Sequence, residues 1–387
     1  MGQKFVTVKL KKLLVFHPAL APYRVDFFNA LGLAFDATFY FSNANAKDQI
    51  FDQQQLRSLC NFRFRLLDKG MEFGGRSFRT GIHSLLNKHR PDIVICSEYS
   101  QITLMIILLK LAFRQKFRLY TISDDSVDLS AKRSGVRKWL RDKVSHYIDG
   151  VILPGRSVCN WYHQHVNNKT RLFPLPIVHE NRSFRAKLEE VFPTVVSQWE
   201  ENKLDDKRIF LFVGRLVKIK NAGFLIQAFH SALPEMPGAV LYIIGDGDEN
   251  ETLRDQAKDL ELGQNCIFLG RLDGQALYAW FRMAHCLVLP SYQEPYGAVV
   301  NEALLAGCKV LCSKLAGASE LITVENGAIF DPHDMKALSD LLISQYHSIE
   351  PGKQKLKLRP DLMPFQLSNK LKPLISFLEF QSPIHSF

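Results

Sequence analysis

None of the seven cysteines, Cys60, Cys96, Cys159, Cys266, Cys286, Cys308 and Cys312, is part of a CxxC pair, and several lie in apolar runs such as IVICS and CLVLP. Such thiols read as buried and reduced, which excludes a disulfide framework and a cysteine metal site and points to a cytosolic environment. Long apolar runs are missing as well. The longest, about Ile102 to Phe113, is interrupted by Lys110 and falls short of the ~20 residues a spanning helix needs. The N-terminal MGQKFVTVKLKKLLVF is basic, but its apolar part is too short for a secretion signal, and KLLVF reads as a first β-strand. The chain is therefore expected to be soluble or peripheral rather than integral. No Gly/Ser, Gln or Pro tract marks disorder, and no internal repeat marks a solenoid. What remains is an ordinary globular composition, 47% hydrophobic and 23% charged, over 387 residues, a length that suits two domains.

The net charge of +10 is unevenly placed. Residues 1–185 hold 29 Lys and Arg against 14 Asp and Glu, a balance of +15, whereas the remainder holds 20 against 25, or −5. The two halves therefore face different partners. A basic half can meet nucleic acid, anionic lipid or a phosphorylated acceptor. KRSGVRKWLRDKVSHYI is a basic amphipathic segment: Val136, Leu140, Val144 and Tyr147 share one helical face, ringed by Arg133, Arg137, Lys138, Arg141 and Lys143. A helix of this kind suits an anionic membrane surface, or packs its stripe on a sheet. Any attachment would be peripheral, on the inner face of the plasma membrane.

Short apolar segments alternate with helical ones throughout. In the first half strands are predicted at Lys12–Phe16, Thr38–Phe41, Ile93–Cys96, Phe117–Ile122 and Gly150–Leu153. Helices are predicted near Tyr23–Leu33, Ser77–Lys88, Gln101–Phe113 and Val136–Tyr147, and Trp199–Lys207 reads as a linker. The alternation restarts at Ile209 with IFLFVG. The predicted class is α/β, with two doubly wound parallel-sheet domains facing across a cleft. The expected division is 1–200, 201–350, and a 351–387 tail with a terminal helix in SNKLKPLISFLEF packing back across the domains.

The strongest local signal is SYQEPYGAVVNEALLAGCKVLCS, an apolar strand end, a turn and a helix start. Glu294 lies in the turn and Glu302 inside the helix. The amides of Tyr296, Gly297, Ala298 and Val299 at the helix start suit an anion, and Gly297 permits close approach. A carboxylate beside an anion site makes sense when the ligand also carries hydroxyls, as a sugar diphosphate does. VGRLVKIKN places Arg215 and Lys220 after Gly214 at another strand end, where two cations suit a diphosphate. IIGDGDE offers Gly245 and Gly247 as a tight turn, and CIFLGRL offers Gly270 and Arg271 for a nucleobase. LAGASELI carries Gly317 and Glu320.

Taken in order, these motifs resemble the donor domain of glycosyltransferase family 4, of GT-B fold, from Phe212 to Asp334. EPYGAVVNE matches the family's two Glu separated by seven residues, and Gly-Arg-Leu with a following Lys falls on Arg215 and Lys220. The GDG turn and the G-x-x-E-x-I segment stand in register. PYRVDFFNALG, with Tyr23 and Arg24, is similar to the acceptor-domain opening of the bacterial surface-polysaccharide branch. HPALAPYR stands where many relatives have a Gly-rich loop. Where relatives often carry a sugar-contacting His, this chain reads YTISDDSVD, so that Asp124 or Asp125 is the candidate replacement.

The resemblance implies a retaining transfer from a UDP- or GDP-sugar without a metal. Glu294 would hold the donor sugar's hydroxyls and Glu302 the ribose. Arg215, Lys220 and the Tyr296–Val299 amides would stabilise the departing diphosphate. The one DxD string, Asp246 and Asp248, reads as the GDG turn rather than a metal site. The expected acceptor is a saccharide or lipid-linked saccharide, and nucleic acid is not expected. A sugar-nucleotide epimerase of the same fold and an inactive basic binding protein are the rival readings.

Overall fold

The computed structural model describes residues 10–43, 45, 53–73, 76–349 and 357–379. The basic N-terminal MGQKFVTVK and the two ends of the expected tail lie outside them. The chain forms two compact units, one of residues up to Ile177 together with those from Ser368, the other of Val178–Leu367.

The first unit contains β1 (Lys12–His17), β2 (Asp36–Phe41), β3 (Arg63–Leu66), β4 (Gly70–Phe73), β5 (Arg76–Arg79), β6 (Ile93–Ser97), β7 (Arg118–Ile122), β8 (Gly150–Leu153) and β9 (Arg171–Pro174). Seven of these make a parallel sheet in the order β3-β2-β1-β6-β7-β8-β9. Strands such as IVICS of β6 are buried at every position, as expected where helices cover both faces of a parallel sheet. The chain runs outward from β1 to β3 and then returns to β6 beside β1. The switch point of this sheet therefore lies between β1 and β6.

The second unit contains β10 (Arg208–Val213), β11 (Ala239–Ile244), β12 (Cys266–Gly270), β13 (Cys286–Leu289), β14 (Lys309–Ser313) and β15 (Gly327–Phe330). All are parallel, in the order β12-β11-β10-β13-β14-β15. Its switch point lies between β10 and β13. Phe210, Phe212, Leu225, Phe229, Leu241, Val288 and Leu338 are fully buried in its core.

Three expectations about elements are corrected. The helix at Ser77–Lys88 is shorter: Arg76–Arg79 pairs antiparallel with Gly70–Phe73, and the helix is Ile82–His89, entered through Gly81 at φ +81. The Gly74-Gly75 pair in the sequence is a hairpin signal. The Trp199–Lys207 stretch is no loose linker. Trp199 lies in the last turn of a Phe192–Glu201 helix, is 2% exposed, and donates Nε1–H to Asp205 at 3.2 Å. The residues from Val178 to Glu200, expected in the first domain, pack into the second unit.

The terminal helix, Leu367–Glu379, joins the first unit from Ser368 onward. Its last carbonyls are gripped by cations and a phenol: Arg118 Nη1 donates to Leu378 O at 3.1 Å, Arg171 Nη1 to Phe377 O at 3.1 Å, and Tyr120 Oη to Phe377 O at 3.2 Å. Arg at a helix C-terminus satisfies unpaired carbonyls and complements the helix dipole. All seven cysteines are free, six of them buried, and burial pushes the Cys266 thiol up to about 12.

Candidate active site

Two loops meet at the switch point of the second sheet. The first follows β10. Asn221 closes it in the left-handed conformation, φ +59, which Asn tolerates. Its buried amide donates to Pro290 O at 3.1 Å and to Pro332 O at 3.3 Å. The ends of three segments are thereby tied together, with Lys220 set next to the tie. The second loop follows β13 and carries Glu294. Tyr292 N–H donates to Ile219 O at 2.9 Å, so the two loops are also joined through backbone.

Lys220 and Glu294 form an ion pair, their side chains 16% and 9% exposed. Sequence reasoning placed the pair in one site but not in contact. The Glu294 turn is held from its other side: Ala318 N–H donates to Tyr296 O at 2.7 Å, and a Cβ on Gly317 would stand 2.5 Å from Pro295 O. Gly297, at φ +96, then opens the Ala298–Leu305 helix with no side-chain cap. The start of that helix is available to an anion.

The glycine turns serve packing. Gly214 N–H donates to Ile244 O at 3.0 Å, Leu216 N–H to Asp246 O at 2.9 Å, and Gly245 N–H to Gly270 O at 2.8 Å. The ends of β10, β11 and β12 are thus laced backbone to backbone. A Cβ on Gly247 would meet Leu216 O at 2.5 Å. Asp246 accepts from Gly247 N–H at 2.8 Å and from Asn250 Nδ2 at 3.1 Å, so its carboxylate caps its own turn. Arg215 is exposed, and Arg271 pairs with Asp273 at 3.1 Å.

Glu302 is brought against a residue that sequence reasoning missed. His179 Nε2 lies 3.3 Å from Glu302 Oε1, its ring stacks on Phe184 at 4.8 Å, and its backbone N–H donates to Asn301 Oδ1 at 2.8 Å. No motif marks His179, which stands alone in LPIVHEN.

In the first unit the four candidate residues divide. Arg24, 3% exposed, pairs with Asp124, and Tyr23 stands beside them with its phenol raised, by burial first and then by the Asp124 charge. His17, at the end of β1, is held down to about 4 by burial and by the Arg24 charge. Asp125 is held differently. It accepts from Ser130 Oγ at 2.7 Å and Tyr162 Oη at 2.8 Å, and pairs with Arg133 at 3.2 Å. Its side chain is fully buried, whereas that of Asp124 is 32% exposed.

Residues 196–354 match the family described as Glycosyl transferases group 1. An uncharacterized glycosyltransferase of Methanocaldococcus jannaschii is 37% identical over 126 residues, 33% of this chain and 32% of that protein. Glycogen synthase of Mycobacterium tuberculosis is 35% identical over 130 residues, 33% of this chain and 31% of that protein. The matches thus span about a third of the length of these relatives. The structure of Anabaena HepE in complex with UDP aligns with a TM-score of 0.68 at 15% identity, covering 95% of both chains. Two parallel-sheet units of this kind are the GT-B fold, and the second of them carries the match to glycosyl transferases group 1 over residues 196–354.

Proposed function

We propose that the protein is a family 4 glycosyltransferase. It moves a sugar from a UDP- or GDP-sugar onto a hydroxyl of a saccharide or lipid-linked acceptor, with retention, in cell-surface polysaccharide assembly. The observation that carries this reading is the Lys220–Glu294 pair at the switch point of a group 1 domain. A carboxylate that can hold sugar hydroxyls is set beside a cation that can take a phosphate, with the uncapped helix start of Ala298–Leu305 next to both. Glu302, oriented by His179, would take the ribose. No side chain of this group stands out as a covalent nucleophile. A same-face displacement, in which the acceptor hydroxyl passes its proton to the leaving phosphate, suits the residues present. The relatives and HepE, which binds UDP, support a nucleotide-sugar donor. A thermal-shift screen with UDP-glucose, GDP-mannose and ADP-glucose tests the reading. A true donor raises Tm with concentration, and release of nucleoside diphosphate should follow when acceptor is added. No shift with any sugar nucleotide would refute it.

The proposal includes transfer without a divalent cation. Support comes from Asp246, whose carboxylate is already occupied within its turn, and from the protein cations Arg215 and Lys220. Turnover is expected to persist in millimolar EDTA. Full loss on chelation, restored by Mn²⁺ or Mg²⁺, would contradict it.

It also places the enzyme peripherally on the inner membrane face. Among the described residues no helix is long and apolar enough to cross a membrane. The Gly135–Val144 helix does not form the face the sequence suggested. Val136 is 78% exposed, Trp139 59% and Tyr147 53%, whereas Arg141 is fully buried, 5.1 Å from the Trp161 ring. Arg137, Lys138 and Lys143 remain exposed around the outward Val136 and Trp139, a mixture suited to an anionic interface. Changing these three to Glu should lower co-sedimentation with phosphatidylglycerol vesicles on the order of a hundredfold, at ~1 kcal/mol per basic residue lost. Binding should also weaken from ~0.1 M to ~1 M salt. Equal binding of the wild type to neutral and anionic vesicles would remove the membrane part.

A further inference from the structure

Glu98 directly follows β6, at the switch point of the first sheet. It adopts φ +52, a left-handed conformation that L side chains other than Asn and Asp rarely take. The backbone is held there. Glu98 N–H donates to Ile122 O at 2.6 Å, and its carbonyl accepts from Thr103 Oγ1 at 2.9 Å and Thr121 Oγ1 at 2.7 Å. The residue is exposed. Yet protein atoms crowding its carboxyl, and next the Asp124 charge, push its pKa up to about 6.

Three carboxylates meet here with two guanidinium groups. Asp124 is taken by Arg24 and Asp125 by Arg133. Among the described residues Glu98 alone of the three has no ion pair. The same cluster holds two further groups that are buried and unused: Arg24 Nε and Ser123 Oγ have no hydrogen-bond partner, in residues 3% and 1% exposed. Buried polar groups are normally paired, so two unsatisfied ones mark a cluster whose hydrogen bonding is incomplete in the ligand-free protein. A carboxylate without a cation partner repels a phosphate and accepts from a hydroxyl. A carboxylate that no cation pairs with, bound among the described residues by the Asp124 backbone alone, keeps acceptor capacity for a neutral polyol, whose hydroxyls can donate to it.

We propose that Glu98 binds a hydroxyl of a neutral saccharide acceptor in the first unit, accepting its hydrogen bond, and that the acceptor group held here is not a phosphate. This deepens the transferase reading and rests on it, while the binding it describes is measurable without donor. The basic charge of the half is then left to the membrane-facing helix rather than to this site.

Saturation-transfer NMR on the full chain provides the test, with methyl glycosides of glucose, galactose, mannose, rhamnose and N-acetylglucosamine as probes and glucose 6-phosphate as the anionic comparison. The wild type should bind at least one methyl glycoside, and more tightly than the phosphate. Glu98→Gln should weaken that binding by roughly tenfold or more, since a hydrogen bond to a charged group is lost. Glu98→Gly should do the same while keeping the fold, because glycine accepts φ +52 without strain. In the wild type, binding should fall as pH drops through about 6, where the carboxyl protonates in the field of Asp124, Asp125 and Arg133; in Glu98→Gln that step should disappear. UDP and GDP affinities, measured by calorimetry, should be unchanged in both variants. Wild type that binds no methyl glycoside, that prefers the phosphate, or that matches Glu98→Gln overturns the proposal. A wild type that binds glycoside but no nucleotide leaves Glu98 standing and fells the donor reading instead.

Discussion

Glu294→Gln is expected to lower kcat by about a hundredfold or more, the usual scale for one electrostatic contact of a transition state, with a smaller change in KM for the donor. The substitution keeps the shape of the side chain and still accepts a hydrogen bond from Lys220, so the loop joining β13 to its helix stays in place. What it removes is charge. In the ligand-free protein that charge and the Lys220 ammonium hold each other in a part-buried position. When a sugar diphosphate binds, Lys220 gains a second anion and Glu294 gains hydroxyls. Glu294→Ala acts differently: it leaves a part-buried ammonium unpaired, at a cost of roughly 1–3 kcal/mol of stability. A drop in turnover in the Ala variant alone would therefore be ambiguous, and the Gln variant separates chemistry from folding. Lys220→Met should weaken nucleoside-diphosphate binding as well as turnover. The double variant should fall by less than the product of the two single losses, because residues in direct contact are not additive. Wild-type kcat in Glu294→Gln, with full structure by circular dichroism, would end the assignment.

Much of this was legible in the sequence because two periodicities coincide with hydrophobic runs. Continuous stretches such as IFLFV and AVLYII, short and rich in β-branched and aromatic residues, read as strands covered on both faces, and the helices between them repeat at 3.6. The loops were readable where a glycine or charged residue is forced at a strand end. Pairings across the fold were not. Nothing in the spacing of Lys220 and Glu294 shows that they touch, because the contact depends on β10 and β13 being neighbours. His179 was invisible for a like reason: it lies more than a hundred positions from Glu302 and only the packing of the 178–201 segment on the second unit brings it there. Arg141 was misread as a surface cation because its helix is basic all round. Its burial beside Trp161 and Tyr162 depends on which face meets the next helix. Glu98 carries no signal at all in sequence, since a left-handed glutamate is a property of the hydrogen bonds around it.

Gly245→Ala is expected to be the most damaging single-atom-scale change in the second unit. Gly245 sits at φ +148, and a Cβ there would overlap the carbonyl group of Gly214. That carbonyl belongs to the backbone just past β10, tied to β11 by hydrogen bonds, and cannot swing aside as a long side chain would. Either the β11 turn moves off the β10 turn, losing the Gly214 N–H to Ile244 O and Leu216 N–H to Asp246 O bonds, or both strand ends shift. Overpacking with loss of two backbone hydrogen bonds suggests about 3 kcal/mol, or roughly 6–12 °C in Tm for a unit of this size. Gly274→Ala is the control. It too has positive φ, +56, but nothing stands within 4 Å of its Cβ, so only the conformational cost of about 1 kcal/mol applies. The gap between the two variants measures the close approach together with the greater backbone strain of φ +148 over φ +56. Because Arg215 follows Gly214 directly, a shift at this turn also moves a proposed diphosphate cation. Gly245→Ala should therefore lose nucleoside-diphosphate affinity even at temperatures where it remains folded. Equal Tm losses in the two variants, or an unaltered affinity in Gly245→Ala, would show that the turn tolerates a side chain and that the glycine is not needed for the packing of β10 on β11.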